Sequence, residues 1–273
     1  MRMDFTADQS DAGKRLDLFF YKRRVSKKLL KDSKYYGLLL VNGERKTVRY
    51  IVEENDQISI IFPKEESQVI PIKMDLRIIY EDDYLMIIDK PAHLAVIPNK
   101  RYYNNSLANG IMYYFNRHHI ESSIHIVNRL DKETRGYLLV AKSRFIHDCF
   151  SSQIKSIKRV YHCVVEGHPG TGIINKSIGH AHDHGTKRCI DENGLHAVTH
   201  YKTLKEYQNS SLVECILETG RTHQIRVHMA SIGHPIIGDE LYSHTLGDFY
   251  LESVEISFVH PITEQQMAFK KQP

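Results

Sequence analysis

The apolar residues of this chain fall into short runs, and most of those runs have the length of a strand. YLMIIDKP (84–91), GYLLVAKS (136–143), RVYHCVVEG (159–167), AVTHYKTLKEY (197–207), SLVECILET (211–219) and DFYLESVEISFVHP (248–261) each read this way. HLAVIP (93–98) reads as a further short strand set off by Pro91. Helical spacing is confined to LANGIMYYFNRHH (107–119), RFIHDCFSSQIKSI (144–157) and THQIRVHMASIG (222–233), the last with Thr222 as its cap. Two of the strands meet near Gln208–Ser211, so hairpins interrupt any strict alternation of strand and helix. The pattern predicts an α+β fold with a mixed, largely antiparallel central sheet.

A smaller unit precedes it. RLDLFFYKRR (15–24) carries apolar residues at helical spacing, and SKKLLKDSK (26–34) opens on Ser26, a good helix cap. GLLLVNGE (37–44) then runs into Asn42-Gly43, a tight-turn signal. TVRYIV (47–52) and QISIIF (57–62) alternate like half-buried strands. Residues 13–62 are therefore predicted to form a small α/β module of two helices and a hairpin sheet. PKEESQVIP (63–71), with prolines at both ends, reads as a linker, and residues 72–273 as the larger domain.

Charge is unevenly spread. The chain nets only +4, yet residues 14–49 hold 12 Lys and Arg against 3 acids. Such a patch attracts polyanions by counterion release, although a charge run can equally be a solvated helix face. No apolar run approaches the ~18 residues of a membrane span, and the polar N-terminus lacks the apolar stretch of a secretory signal. The four cysteines are scattered with no C-x-x-C pair, which suggests neither zinc nor a disulfide framework and fits a cytoplasmic protein with reduced thiols.

Four constellations could carry chemistry. In HIVNRLDKETRGYLLVAKS (125–143) one carboxylate, Asp131, stands among Arg129, Lys132 and Arg135. Nearby cations favour an ionised aspartate, which can serve as nucleophile or base; a structural ion pair is the plainer alternative. In ETGRTHQIRVHMASIGHPIIGD (218–239), Gly220, Arg221 and Arg226 sit at a predicted helix start, which favours anions. Tyr161 lies in an apolar strand just after a basic helix end, where it is either a core residue or a stacking platform for a nucleobase. HAHDHG (180–185) resembles a metal motif of metallo-β-lactamase-like hydrolases, but Asp183 directly follows His182 and the ligand register fails.

Taken together, these residues resemble the RluA family of RNA pseudouridine synthases. The R-L-D, two variable residues, T-x-G signature stands as Arg129-Leu130-Asp131-Lys132-Glu133-Thr134-Arg135-Gly136, followed by an apolar strand. G-R-x-H-Q-I-R-x-H is matched by residues 220–228, and the tyrosine after a basic residue by Arg159-Val160-Tyr161. YEDDYLMIIDKPAHLAVIP (80–98) resembles the hairpin that opens the family's catalytic domain, and GLHAVTHY (194–201) its G-x-x-A-x-T element. Residues 13–62 resemble the small RNA-binding module named after ribosomal protein S-four. Three positions depart from the family pattern: Asn128 where histidine is common, Arg135 where a small residue is usual, and Ala92-His93 in place of Ala-Gly.

The resemblance implies the pseudouridine synthase fold and isomerisation of uridine within structured RNA, ribosomal or transfer, without metal or cofactor. It implies Asp131 as nucleophile or ribose-abstracting base, Tyr161 stacking on the base with late removal of the C5 proton as a second role open to it, and Arg226 paired with Asp131, with Arg221 as the second choice. Arg129 would fill the space left by the everted uridine, a step that costs little in a loop or bulge. Arg129, Arg135, Arg221 and the helix lysines Lys27, Lys28 and Lys31 would bind RNA, and a monomer is the family default. Removing residues 1–62 is then expected to weaken RNA binding. Two other readings compete: a non-catalytic RNA-binding or ribosome-assembly factor on the same fold, and a metal-dependent hydrolase built on the histidine cluster.

Overall fold

The computed structural model describes residues 1–98, 103–181 and 186–272. A small N-terminal unit contains β1 (Arg2–Thr6), α1 (Leu16–Lys22), α2 (Lys27–Tyr36), β2 (Leu38–Val41), β3 (Glu44–Arg45) and β4 (Gln57–Ile61). Its strands form a sheet in the order β1-β4-β2-β3. The cap on α2 is the expected one, since the Ser26 hydroxyl accepts from the Leu29 N–H at 3.2 Å. Asn42 and Gly43 both have positive φ, 51° and 82°, as a two-residue hairpin turn with inverted twist requires. β1 was not anticipated; its short alternating sequence gives no apolar run.

The segment Thr47–Val52 is not a strand. Its backbone bonds the entry of α1: Leu16 and Asp17 donate to the Tyr50 and Val48 carbonyls, and Gly13 donates to that of Val52. The alternation reflects one-sided burial of an irregular segment, which a periodicity argument cannot tell from a strand.

The larger unit comprises β5 (Ile78–Glu81), β6 (Leu85–Lys90), α3 (Leu107–Arg117), β7 (His125–Ile126), β8 (Arg135–Ala141), α4 (Arg144–Ser152) and β9 (Lys158–Glu166). These are followed by β10 (Thr171–Asn175), β11 (Ile178–His180), β12 (Arg188–Ile190), β13 (Val198–Glu206), β14 (Ser210–Leu217), α5 (Gln224–Ser231), β15 (Leu251–Val259) and β16 (Gln266–Lys270). Its large sheet runs β10-β13-β14-β9-β15-β8-β6-β5, with β16 beside β15 and β7 beside β8. The sheet is mixed and largely antiparallel, as the sequence suggested: β15 and β8 pair in parallel, and the remaining pairs in it are antiparallel.

Central strands β6 and β8 are buried on both faces, which explains their unbroken apolar runs. Leu85, Ile87, Leu139 and Ala141 face one core cluster, and Met86, Ile88, Leu138 and Val140 the other. The second cluster is completed by α3 and α5. The first includes α4 and also the apolar residues of the N-terminal unit, among them Phe19, Phe20 and Leu30. One continuous core therefore crosses the boundary between the units. Phe62 stacks on Phe145 with ring centroids 5.2 Å apart. Ser26 donates to Asp148 at 2.7 Å, and Arg144 pairs with Asp32 at 2.9 Å. Residues 63–71 have no helix or strand but are docked: Asn109 Nδ2 donates to the Ile70 carbonyl at 2.8 Å, and Glu65 accepts from the Arg144 N–H at 2.9 Å.

Other expectations need correction. HLAVIP (93–98) is not a strand; the Ala95 and Val96 carbonyls accept from Leu107 and Ala108, so this segment caps the start of α3. The helix after Ser143 stops at Ser152 and continues only as a 3-10 turn, Ile154–Ser156. The last helix begins at Gln224 with His223, not Thr222, at its cap position. Of the histidine cluster, residues 182–185 lie outside the described residues. Among the described residues no group of three or more His, Cys, Asp or Glu is placed to hold a metal, and no helix is long and apolar enough to cross a membrane.

The seam between the units makes a stability prediction. Phe145→Ala removes the ring that Phe62 stacks on and should cost about 3–5 kcal/mol, read as a lower midpoint in chemical denaturation.

Candidate active site

Asp131 lies on the loop between β7 and β8, and the sequence around it explains how that loop is held. Asn128 is buried and copies a strand partner: its Oδ1 accepts from the Leu139 N–H at 2.7 Å and its Nδ2 donates to the Tyr137 carbonyl at 3.3 Å. The Thr134 N–H closes a turn onto the Asp131 carbonyl at 3.2 Å. Gly136, at φ 107°, sits where β8 meets β15, and a Cβ there would lie 2.2 Å from the Ser253 carbonyl oxygen. Glycine is the residue that fits this approach. From below, the buried Lys90 ammonium donates to the carbonyls of Pro91 and Leu94 at 2.8 Å and of Lys132 at 3.0 Å. Burial pushes its pKa down to about 8.

A cavity of about 510 Å³ opens in front of this loop, lined among others by Asp131, Tyr161, Arg226, Arg129, Arg221 and Arg159. It brings together all three residues expected to be catalytic. Asp131 keeps 24% of its side chain exposed, and its Oδ2 lies 3.7 Å from Arg226 Nη1. Arg226 is buried on α5 and makes its closer bonds elsewhere. Its Nε and Nη2 donate to the two oxygens of Asp239, both at 2.7 Å. Burial works against its charge, but the Asp239 bonds outweigh it and its pKa is raised. The guanidinium is flanked by the rings of Tyr242 and Phe249, at 5.2 and 5.5 Å. Tyr161, buried on β9, has its pKa raised by burial, so its phenol stays protonated at neutral pH.

The loop before α5 is held by one side chain. Gln224 Oε1 accepts from the Thr219 hydroxyl and the Arg221 N–H, while its Nε2 donates to the Val198 carbonyl and the Thr199 hydroxyl. His223 adopts φ 56° and its Nδ1 meets the Tyr242 hydroxyl at 2.9 Å.

The cations predicted around Asp131 are arranged differently from their order in sequence. Arg129 is exposed at the cavity, and Arg221 lines it while donating to the His196 carbonyl at 3.0 Å. Arg135 is not part of the lining: it pairs with Glu252 at 3.4 Å and lies over the Tyr250 ring. Lys132 pairs with Glu133 at 3.2 Å. Lys27, Lys28 and Lys31 are exposed on α2, outside the cavity. Sequence reasoning missed Asp239, Gln224 and Lys90. A lysine closing an apolar strand and an aspartate after an apolar turn were the available signals. Asp239→Ala should leave Arg226 buried without its main partner and cost about 3–5 kcal/mol, measured by denaturation against the wild type.

Comparison with known proteins gives the family. Residues 84–231 match the RNA pseudouridylate synthase family. The chain is 39% identical over 257 residues to the uncharacterized RNA pseudouridine synthase YjbO of Bacillus subtilis, covering 90% of each. It is 35% identical over 225 residues to the ribosomal large subunit pseudouridine synthase D of Zymomonas mobilis, covering 73% of this chain and 69% of that one. The fold is similar to human RNA pseudouridylate synthase domain containing 1, with a TM-score of 0.60 at 21% identity over 73% of this chain and 84% of that one. The chain therefore belongs to the RluA-type RNA pseudouridine synthases, a family of RNA isomerases.

Proposed function

We propose that this protein converts uridine to pseudouridine in structured ribosomal RNA, with Asp131 as the catalytic residue. The observation that carries this reading is the contact between Asp131 and Arg226 in the wall of a cavity that Tyr161 also lines. The ribosomal assignment follows relatives such as the Zymomonas enzyme; a structured RNA is also what a basic N-terminal helix suits.

In the isomerisation the C1′–N1 bond breaks, the uracil turns, and a C1′–C5 bond forms. The proton on C5 is lost and N1 gains one, so substrate and product are isomers. Asp131 serves the ribose, and attack at C1′ and proton abstraction at C2′ use the same carboxylate. Arg226, fixed by Asp239, provides the opposing charge. Tyr161 offers a flat, protonated face for the everted base to stack on. Arg129 is exposed beside the cavity and suits the gap that eversion leaves. Lys90 and Asn128 hold the loop so that the carboxylate keeps its place.

The N-terminal unit reads as an S-four-like RNA-binding module, with Lys27, Lys28 and Lys31 contacting phosphates. Its core is shared with the larger unit, so deletion of residues 1–62 would take Phe62 off Phe145 and confuse loss of binding with loss of stability. Point substitution separates the two. Replacing all three lysines by alanine should weaken binding and lower the slope of log K against log salt by roughly 2–3, with thermal stability unchanged; an unaltered slope would refute phosphate contact.

The catalytic assignment is tested in cells lacking the gene. Pseudouridine mapping of ribosomal RNA should reveal a site that is lost, restored by the wild-type chain, and not restored by Asp131→Ala. Purified Asp131→Ala should still bind the RNA. A variant at position 131 that kept full turnover would refute the role of the carboxylate, and restoration by it in cells would point to a non-catalytic factor.

A further inference from the structure

Arg159 is 5% exposed and lines the cavity beside Tyr161. The two residues are two apart on β9, so their side chains leave the same face of the strand. A buried guanidinium ordinarily carries a carboxylate partner, because taking the charge out of water is otherwise costly. Arg226, in the same cavity, has two. Among the described residues no ion pair is formed by Arg159. Its Nη2 reaches the Leu217 and Glu218 carbonyls at 3.4 and 3.3 Å, both long contacts, and its Nε is buried with no hydrogen-bond partner. Its Nη1 faces Gly220, where an added Cβ would lie 3.0 Å away. Burial lowers its pKa, yet an arginine remains a cation at neutral pH. The protein thus keeps an unmatched positive charge, with donors to spare, in the wall where the base would stack.

We propose that Arg159 donates to a carbonyl oxygen of the target uracil and stabilises the negative charge that the base carries after it leaves the ribose. This rests on the reading that the protein isomerises uridine. When the C1′–N1 bond breaks, its electron pair stays on N1 and spreads to O2 and O4. C1′ is satisfied by Asp131 if the carboxylate attacks, or by the C2′ electrons if the carboxylate takes the C2′ proton. Both routes release the base as an anion beside a buried guanidinium, and a fixed cation shielded from water acts strongly. When C5 attacks C1′ the negative charge returns to Asp131, either as the C1′–Asp131 bond breaks or as its carboxyl gives the proton back to C2′. The C5 proton then passes to solvent and N1 takes one up, so no proton is gained or lost overall. A backbone phosphate is the other anion an RNA offers, but the depth of Arg159 and its place beside Tyr161 favour the base.

The test uses the full chain with Arg159→Met and Arg159→Gln. Gln keeps a donor for the Leu217 and Glu218 carbonyls should Met disturb the packing. Single-turnover pseudouridine formation should fall roughly a hundredfold to a thousandfold, with RNA affinity and its salt slope unchanged. Thermal stability should hold or rise, because an unpaired buried charge has been removed. Substituting 5-fluorouridine at the target gives a base that departs more readily as an anion, so the gap between variant and wild type, read as consumption of the target nucleotide, should narrow. A merely structural role would lower stability and leave that gap the same for both nucleotides. Wild-type rates in both variants would overturn the proposal. So would weaker binding with a salt slope reduced by about one contact, which would place a phosphate on Arg159. Asp131→Ala, run alongside, separates the two levels: no product from the wild type sinks the functional reading itself, whereas an active wild type, an inactive Asp131→Ala and unaffected Arg159 variants sink only this inference.

Discussion

The guanidinium of Arg226 stands between two carboxylates and serves them unequally. Asp239 takes two short, parallel bonds in a fully buried pair, and Asp131 takes one longer contact from the remaining nitrogen. The first interaction fixes where the guanidinium is; the second uses that position. A bidentate pair of this kind is geometrically specific, so the plane of Arg226 is set by the turn carrying Asp239 and not by the residue it faces across the cavity. The aspartate on the β7–β8 loop therefore meets a charge that is already in place, and it stays partly open to a substrate.

The loop opposite is held with comparable economy. Two buried polar side chains, Asn128 and Lys90, satisfy backbone groups that an irregular segment would otherwise leave unpaired. The parallel contact of β8 with β15 at Gly136 and Ser253 adds a steric floor. β15 also carries an irregularity between Ser253 and Glu255, opposite Tyr161 and Val160, of the sort that re-aims side chains near sites. The site is thus assembled at one end of three adjacent strands, with α5 closing it from the side.

Much of this was legible in the residues. Long apolar strands declared themselves because both faces of β6 and β8 are covered, and Ser26 announced α2 through a local hydrogen bond. Failures came where burial and hydrogen bonding part company. Thr47–Val52 alternates like a strand but gives its carbonyls to the start of α1, and residues 93–98 give theirs to α3. Thr222 looked like a cap, yet Gln224 does the work of ordering that turn by reaching back to Thr219 and Arg221. In the site, Asp131, Tyr161 and Arg226 converge on one cavity with Arg129 and Lys132 in its lining, whereas Arg135 lies outside it and pairs with Glu252. Asp239 offered only the weak signal of an aspartate after an apolar turn, because its meaning depends on a partner that the fold brings within reach.

The core that runs unbroken from the N-terminal helices into α4 bears on how such an enzyme selects its target. A tethered module could swing and accept many RNA shapes. One welded through Phe62, Phe145 and the Arg144–Asp32 pair holds its basic helix at a set span from Asp131, like the two jaws of a caliper. On the proposed reading, in which that helix grips phosphates and Asp131 serves the ribose, a uridine would be reached where the folded strand presents it at that span.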